Sequence, residues 1–390
     1  MTVSSAHDWR VAVHPAATTL SPARDLVVAY DLEGRPTSWF RRGETFKRSL
    51  ASDVVGRRTV DGDRRRWSVG RTDADELLEL ARTVAAEARA DGADALAPDH
   101  ASELDDRLRR VVAWTPERLR AERERFLAAY APISILPPDQ YEAVVLQATF
   151  GCSWNRCTYC TFYQGRPFQV RPPEAFAAHV GAVAELLGRA AAGRRRLFLA
   201  DGNALVLSND RLRPIFEAAR ATFAGRPVAG FVDVFGGERK TVAAWRELRG
   251  WGLRRVAIGV ETGHDPLLAY LNKPGGADEA AAFVRTLKAA GLEVAVIVMV
   301  GAGGRRYAEG HVRDTAALLE RLPLEQGDLV YLSPFVRQDD APYARIAERD
   351  GLEDLTAAER DAQDRALRRA ARTAVPDARV ARYHIDEFVY

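Results

Sequence analysis

From residue 140 onward the chain alternates short, unbroken apolar runs with longer stretches in which apolar residues recur every three or four positions. The runs lie at 143–149, 197–200, 228–234, 256–260, 294–300 and 329–332. The helical stretches between them lie at about 173–190, 209–224, 238–251, 277–290 and 309–321. An unbroken apolar strand is one buried on both faces, and such strands separated by helices are parallel. Six units of this kind predict an α/β fold, a sheet curled as a partial (β/α)6 barrel of the TIM type over 141–335. In such barrels the chemistry gathers at the carboxyl ends of the strands, so the residues that follow each run are the ones to search.

The pattern before 140 is different and predicts an α+β extension over 1–140. Leu26–Tyr30 and 37–40 flank a turn-forming segment, Asp31 to Pro36, and read as a hairpin. Leu77, Leu78, Ala81, Val84 and Ala85 have helical spacing within 74–90. A second helical region, 102–130, breaks near Trp114-Thr115-Pro116, where Thr115 is placed to cap the next helix. Pro137-Pro138 punctuates the boundary. The tail, 336–390, predicts a closing element: a helix capped by Thr356 and running to Ala374, then a strand over 381–390.

Composition narrows the class. The 390 residues are 47% hydrophobic and 28% charged with a net charge of +2, the profile of a globular protein without a strong field toward nucleic acid or an anionic membrane. The basic runs 64–66 and 194–196 read as solvated faces. No stretch approaches the roughly 20 apolar residues that cross a bilayer, and the first ten residues have no signal-peptide core. The three cysteines fall within nine residues, which is no disulfide framework and fits a reducing, cytoplasmic setting.

Those cysteines form Cys152-x4-Cys157-x2-Cys160, in a loop after the first apolar run. Three thiolates on one loop can grip three corners of an iron–sulfur cube and leave the fourth iron open for chemistry. Arg156 and the loop amides can favour the thiolates and hydrogen-bond the sulfurs. A zinc site with a distant histidine, or unreactive buried cysteines, are the alternatives, although none of the seven histidines has a ligand-like spacing from the cysteines.

The motif resembles that of the radical S-adenosylmethionine (radical SAM) superfamily. The common signature there has three residues between the first two cysteines and an aromatic before the third. Here the spacing is four, as in some branches, and Tyr159 takes the aromatic place. The likeness extends over roughly 141–335. Segments 148–170 and 301–311 most resemble the group of elongator-type and methylthiotransferase-type barrels. The resemblance implies a 4Fe–4S cluster on Cys152, Cys157 and Cys160, and S-adenosylmethionine as second cofactor. It implies reductive cleavage to a 5′-deoxyadenosyl radical that takes hydrogen from a substrate, with electrons from a donor such as flavodoxin or ferredoxin.

The strand-end residues supply the remaining candidates. Asp201-Gly202-Asn203 follows the second run, where the resemblance places a turn that binds the methionine amino group; an ordinary turn is the alternative. Asp201 offers an acceptor for an ammonium, and Gly202 admits close backbone approach. Glu261 follows the fourth run, flanked by glycines, and can bind ribose hydroxyls or the sulfonium end. Lys273 is placed to hold the cofactor carboxylate. Gly301 opens a glycine loop suited to adenine or ribose, and His311 follows it near a helix start. Asp233, late in the third strand, can also face a ligand.

Every cysteine is used by the motif, and the cobalamin pattern D-x-H-x-x-G appears nowhere. The expected enzyme therefore carries a single cluster and acts on a small or medium-sized molecule. An RNA-modifying enzyme of the same barrel, and a non-catalytic zinc scaffold, are the competing functions. Neither nucleic acid nor a membrane is expected as a partner, since the first 140 residues mix acids with their basic residues.

Overall fold

The computed structural model describes residues 8–60, 63–385 and 390. Two compact units divide the chain. The first takes the residues up to Pro132 together with Gly181–Arg195 and the last two residues; the second takes Ile133–Val180 and 196–388. The first unit thus ends short of position 140.

The first unit is built on a seven-stranded antiparallel meander: β1 (Arg10–Val13), β2 (Thr18–Ala23), β3 (Leu26–Tyr30), β4 (Pro36–Arg41), β5 (Glu44–Arg48), β6 (Val54–Val60) and β7 (Asp63–Ser68). Register places Leu20 opposite Val28, Val28 opposite Trp39 and Trp39 opposite Phe46, so one apolar row crosses four strands. That row packs on helix Arg71–Asp91, whose buried Leu77, Leu78, Ala81, Val84, Ala85 and Ala88 repeat at helical spacing. The expected hairpin is β3–β4, and the break at Thr115 is real: its hydroxyl accepts the Arg118 amide at the start of helix Pro116–Ala129. The other five strands give little apolar signal, since they include exposed Arg10, Arg58, Thr59, Arg65, Arg66 and Ser68 and buried Thr18, Ser21 and Arg48. Fully buried Arg35 lies inside this unit, 2.7 Å from Asp31 and 2.8 Å from Glu122, and also donates to the carbonyls of Leu186 and Leu187.

The second unit holds the parallel sheet. Its strands are β8 (Val144–Gln147), β11 (Leu197–Ala200), β12 (Val228–Phe231), β13 (Leu253–Glu261), β14 (Glu293–Val300), β15 (Leu329–Pro334) and β16 (Arg379–Arg382). They pair in the order β16-β15-β14-β13-β12-β11-β8, with β8 and β16 at the two edges. β8, β11 and β12 are buried along their whole length, as unbroken apolar runs require. This is the expected α/β partial barrel, with a seventh parallel strand added from the tail. The expected final strand begins two residues earlier than read from sequence, at Arg379, and 386–389 lie outside the described residues. Helix Ala357–Ala374 is capped by Thr356, whose hydroxyl accepts the Glu359 amide. A small antiparallel pair, β9 (Thr149–Phe150) and β10 (Gln169–Val170), brackets the cysteine loop. Among the described residues, no helix is long and apolar enough to cross a membrane.

Candidate functional site

The three cysteines sit on the loop that leaves β9. Two residues in left-handed backbone, Gly151 (φ 70°) and Asn155 (φ 48°), turn it sharply. The loop is pinned to the segment after helix Asp265–Tyr270. Thr158 donates its amide to the Leu271 carbonyl (2.9 Å), Trp154 donates its indole N–H to the Asn272 carbonyl (2.9 Å), and Asn272 Nδ2 donates to the Arg156 carbonyl (2.7 Å). Asn155 Nδ2 donates to the Tyr163 carbonyl at 3.0 Å, closing the loop on itself. The cysteines are held in register by backbone and amide contacts, without a disulfide.

Cys152, Cys157 and Cys160 line one cavity at the carboxyl ends of the strands, with about 1180 Å³ of empty space counting its open mouth. Tyr159, Gly202, Glu261 and Lys273 line the same cavity, as does Asp233. Sequence reading had named all of these. The core of the array is a shared carboxylate: Tyr159 donates its hydroxyl to Glu261 Oε1 at 2.9 Å, and Lys273 Nζ stands 3.2 Å from the same oxygen.

Glu261 reaches this position through an irregular strand end. The β13–β14 register jumps between Gly259 and Glu261, and Glu261 takes a left-handed φ of 65°. A bulge of this kind re-aims a side chain at the cost of local strain. Gly259 leaves the needed space: a Cβ there would lie 2.3 Å from Glu261 Oε1 and 3.1 Å from Lys273 Nζ. Burial pulls the Lys273 pKa down, but the Glu261 charge and the neighbouring Cys157 and Asp233 outweigh it, so the ammonium stays protonated. Burial and the Glu261 charge push the Tyr159 phenol well up, so it remains a donor.

Four of the expected residues lie away from the cavity surface. Asp201 is buried, donates its amide to Thr149 Oγ1 (3.1 Å), and stands 3.8 Å from Arg166. Burial pushes its carboxyl up to about 6, against the pull of Arg166, Tyr163 and the Gly151 amide. One of its oxygens has no hydrogen-bond partner among the described residues. Asn203 lies at the back of the site. Its Nδ2 donates to Ser153 Oγ (2.6 Å) and to Asp233, and its Oδ1 accepts the Asp233 amide (3.1 Å), tying the cysteine loop to the end of β12. Gly301 gives its amide to Gln363 at 2.6 Å. His311 is fully buried.

His311 is nevertheless coupled to the site. Its Nε2 faces the Met299 carbonyl at 2.9 Å and must carry the proton, so Nδ1 accepts from the Thr262 hydroxyl at 2.6 Å. Burial pushes its pKa down to about 4, despite the Met299 bond. A neutral histidine thus joins β14, at cavity-lining Met299, to Thr262, next to Glu261.

Some contributors were not read from sequence. Tyr163 lines the cavity beside Cys160, and Gly202 makes room for it: a Cβ on Gly202 would lie 2.6 Å from its ring. Ile297, Met299 and Ser333, from the last turns of β14 and β15, also line it. Their signal was alternation within continuous apolar runs, which does not say which face looks inward.

The residues fit an iron–sulfur group. Three thiols converge on one cavity, and no histidine lines it among the described residues. Burial pushes the thiols of Cys157 and Cys160 up to about 12 and about 11. Thiolates at such a place need a cationic metal group to hold them. Among the described residues no three His, Cys, Asp or Glu side chains are gathered at single-ion spacing.

Residues 146–319 match the model of the Radical SAM superfamily. No curated protein matches the sequence. Among solved structures, the chain is similar to the cobalamin-dependent S-adenosylmethionine radical enzyme OxsB, at 14% identity and a TM-score of 0.40 over 60% of this chain and 32% of that one. It is similar to methylornithine synthase (PylB), at 16% identity and a TM-score of 0.43 over 61% of this chain and 65% of that one. It is also similar to coproporphyrinogen III oxidase (HemN) from Escherichia coli, at 13% identity and a TM-score of 0.40 over 67% and 56%. The match therefore spans about a third of the OxsB chain. The matched residues, 146–319, take in the cysteine loop, Glu261 and Lys273, so this part of the chain is a radical SAM domain, of a superfamily whose enzymes use a 4Fe–4S cluster and S-adenosylmethionine.

Proposed function

We propose that Cys152, Cys157 and Cys160 hold the cluster, that Tyr159, Gly202, Glu261 and Lys273 hold S-adenosylmethionine beside it, and that the enzyme takes hydrogen from a small or medium-sized substrate. The observation that carries this is the convergence of three cysteines and the Tyr159–Glu261–Lys273 array on one cavity. When bound, the cluster and cofactor supply reductive cleavage to a 5′-deoxyadenosyl radical.

The chain's own residues bind, orient and exclude water. Lys273 is the cation available for the cofactor carboxylate, and Glu261 the anion for ribose hydroxyls or the sulfonium. Tyr159 fixes the carboxylate that serves both. Phe231, Ile297, Met299 and Phe335 keep the cavity apolar and limit side reactions. A flavodoxin- or ferredoxin-type reductant and a cytoplasmic setting belong to this reading. Its support is the clustering of every cysteine in one site that needs reducing conditions. Anaerobic reconstitution with iron and sulfide, then reduction with dithionite in the presence of S-adenosylmethionine, tests it. The expected product is 5′-deoxyadenosine, and its absence from a reconstituted, iron-loaded protein would refute the reading.

A further inference from the structure

We propose that the substrate is an uncharged, largely apolar molecule with a hydroxyl or carbonyl group, held against the ends of β14 and β15; this rests on the radical SAM reading of the same cavity. The charges that line the cavity are already committed. Lys273 and Glu261 hold each other at 3.2 Å. Asp233 accepts the Gly236 amide at 2.5 Å and a bond from Asn203. Among the described residues no arginine and no second lysine lines the space. A phosphate or carboxylate entering here would lose its water without gaining a cation beyond the one the cofactor needs, which is costly in an apolar setting. A cationic substrate would likewise find both acids engaged.

Apart from Ser333 and the half-buried Thr161 and Gln338, the rest of the wall is hydrocarbon and aromatic. Phe231, Ile297, Met299, Phe335, Tyr383 and Ile385 contribute it. Ile297 and Met299 are two apart on β14 and so present the same face. Tyr383 donates its hydroxyl to the Leu136 carbonyl at 2.7 Å, which turns its polar end away from a ligand. Ser333 breaks this surface. It lies at the end of β15, is 7% exposed, lines the cavity, and its hydroxyl has no protein hydrogen bond among the described residues. A nearly buried hydroxyl without a partner is a site for one ligand hydrogen bond. Recognition therefore combines apolar contact with a neutral polar contact at Ser333, the buried one of the three neutral polar side chains on the wall.

Two fluorophores with one ring system test the charge rule: neutral N-phenyl-1-naphthylamine and its sulfonate, 1-anilinonaphthalene-8-sulfonate. Each is titrated anaerobically into the reconstituted holoenzyme loaded with S-adenosylmethionine. The neutral probe should bind at least about tenfold more tightly, since a desolvated unpaired charge costs more than 1.4 kcal/mol. Ile297→Trp, which fills the wall, and Phe335→Ala, which strips it, should each weaken the neutral probe by about fivefold or more, with iron content and S-adenosylmethionine affinity retained. Either variant suffices if the other does not fold. Equal or tighter binding of the sulfonate, no binding of either probe, or a neutral-probe affinity untouched by both variants would overturn the proposal. Failure of the wild-type protein to take up iron or S-adenosylmethionine would instead refute the underlying radical SAM reading.

Discussion

Lys273 Nζ lies 3.2 Å from Glu261 Oε1, and the same oxygen takes the Tyr159 hydroxyl at 2.9 Å. The three side chains come from a loop, a bulged strand end and a segment beyond a short helix. Glu261→Ala should weaken S-adenosylmethionine binding by about ten- to a hundredfold, the loss of one or more charge-assisted hydrogen bonds of roughly 1.5–3 kcal/mol. Iron content should stay at the wild-type level. Isothermal titration of the reconstituted proteins checks the affinity and an iron assay the content, and unchanged affinity would move the cofactor away from this carboxylate.

The cluster can be counted. Wild-type protein reconstituted anaerobically should hold about four irons per chain, one cluster on three cysteines. Cys152→Ala, Cys157→Ala and Cys160→Ala should each remove the brown absorbance. About eight irons in the wild type, or full iron and sulfide in any one variant, would contradict a single three-cysteine site.

Much of this arrangement could be read from the chain. Continuous apolar runs announced the parallel strands, because a strand buried on both faces has no polar alternation to hide it. The cysteine spacing, with Tyr159 beside Cys160, located the loop. Glu261 could be nominated as a strand-end residue and Lys273 as one just past a short helix, but their pairing depends on a bulge at Gly259–Glu261 that no spacing rule encodes. Asp201 and Asn203 are candidates by their place after a strand and His311 by its place near a helix start, and all three lie off the cavity surface. A polar side chain at a strand end looks the same in sequence whether it faces a ligand or braces a neighbouring loop. The meander escaped because its strands interleave arginine, serine and threonine with a thin apolar row, a weak strand signal until the sheet is assembled.

His311 makes stability sensitive to acid. Its native pKa is pushed down to about 4, below the ordinary value of about 6.5 of an unfolded chain. Between these values the unfolded state binds a proton that the native state refuses, so stability falls as pH drops from about 6.5 to about 4. The loss approaches about 3 kcal/mol at the lower end. His311→Gln should flatten this decline relative to wild type in urea titrations at several pH values. Asp201, whose raised pKa acts in the opposite direction, is present in both proteins and cancels in the comparison. Parallel pH profiles would show that His311 is not buried neutral.

Arg35 offers a test of the first unit alone. It is fully buried against Asp31 and Glu122, and its removal leaves two acids without their cation. Breaking a buried ion pair from one side costs about 3–5 kcal/mol. Arg35→Met should therefore lower the denaturant midpoint sharply, and Glu122→Leu added to Arg35→Met should recover part of the loss. No recovery in the double variant would show that Arg35 acts through its bonds to the Leu186 and Leu187 carbonyls.

Gly259 supplies the sharpest test of the ion pair. A methyl group there would sit 2.3 Å from Glu261 Oε1, a separation that non-bonded atoms do not tolerate, and 3.1 Å from Lys273 Nζ. Gly259 lies within β13, so Gly259→Ala leaves the strand and its pairing able to form while displacing the carboxylate. Its defect in S-adenosylmethionine affinity should approach that of Glu261→Ala. If both act by removing one carboxylate from one place, their effects cannot add. The double variant should bind no more than about threefold more weakly than Glu261→Ala alone, where independent sites would multiply. Full multiplication of the two defects would mean that Gly259 serves the cofactor by its own backbone approach, with Glu261 acting separately.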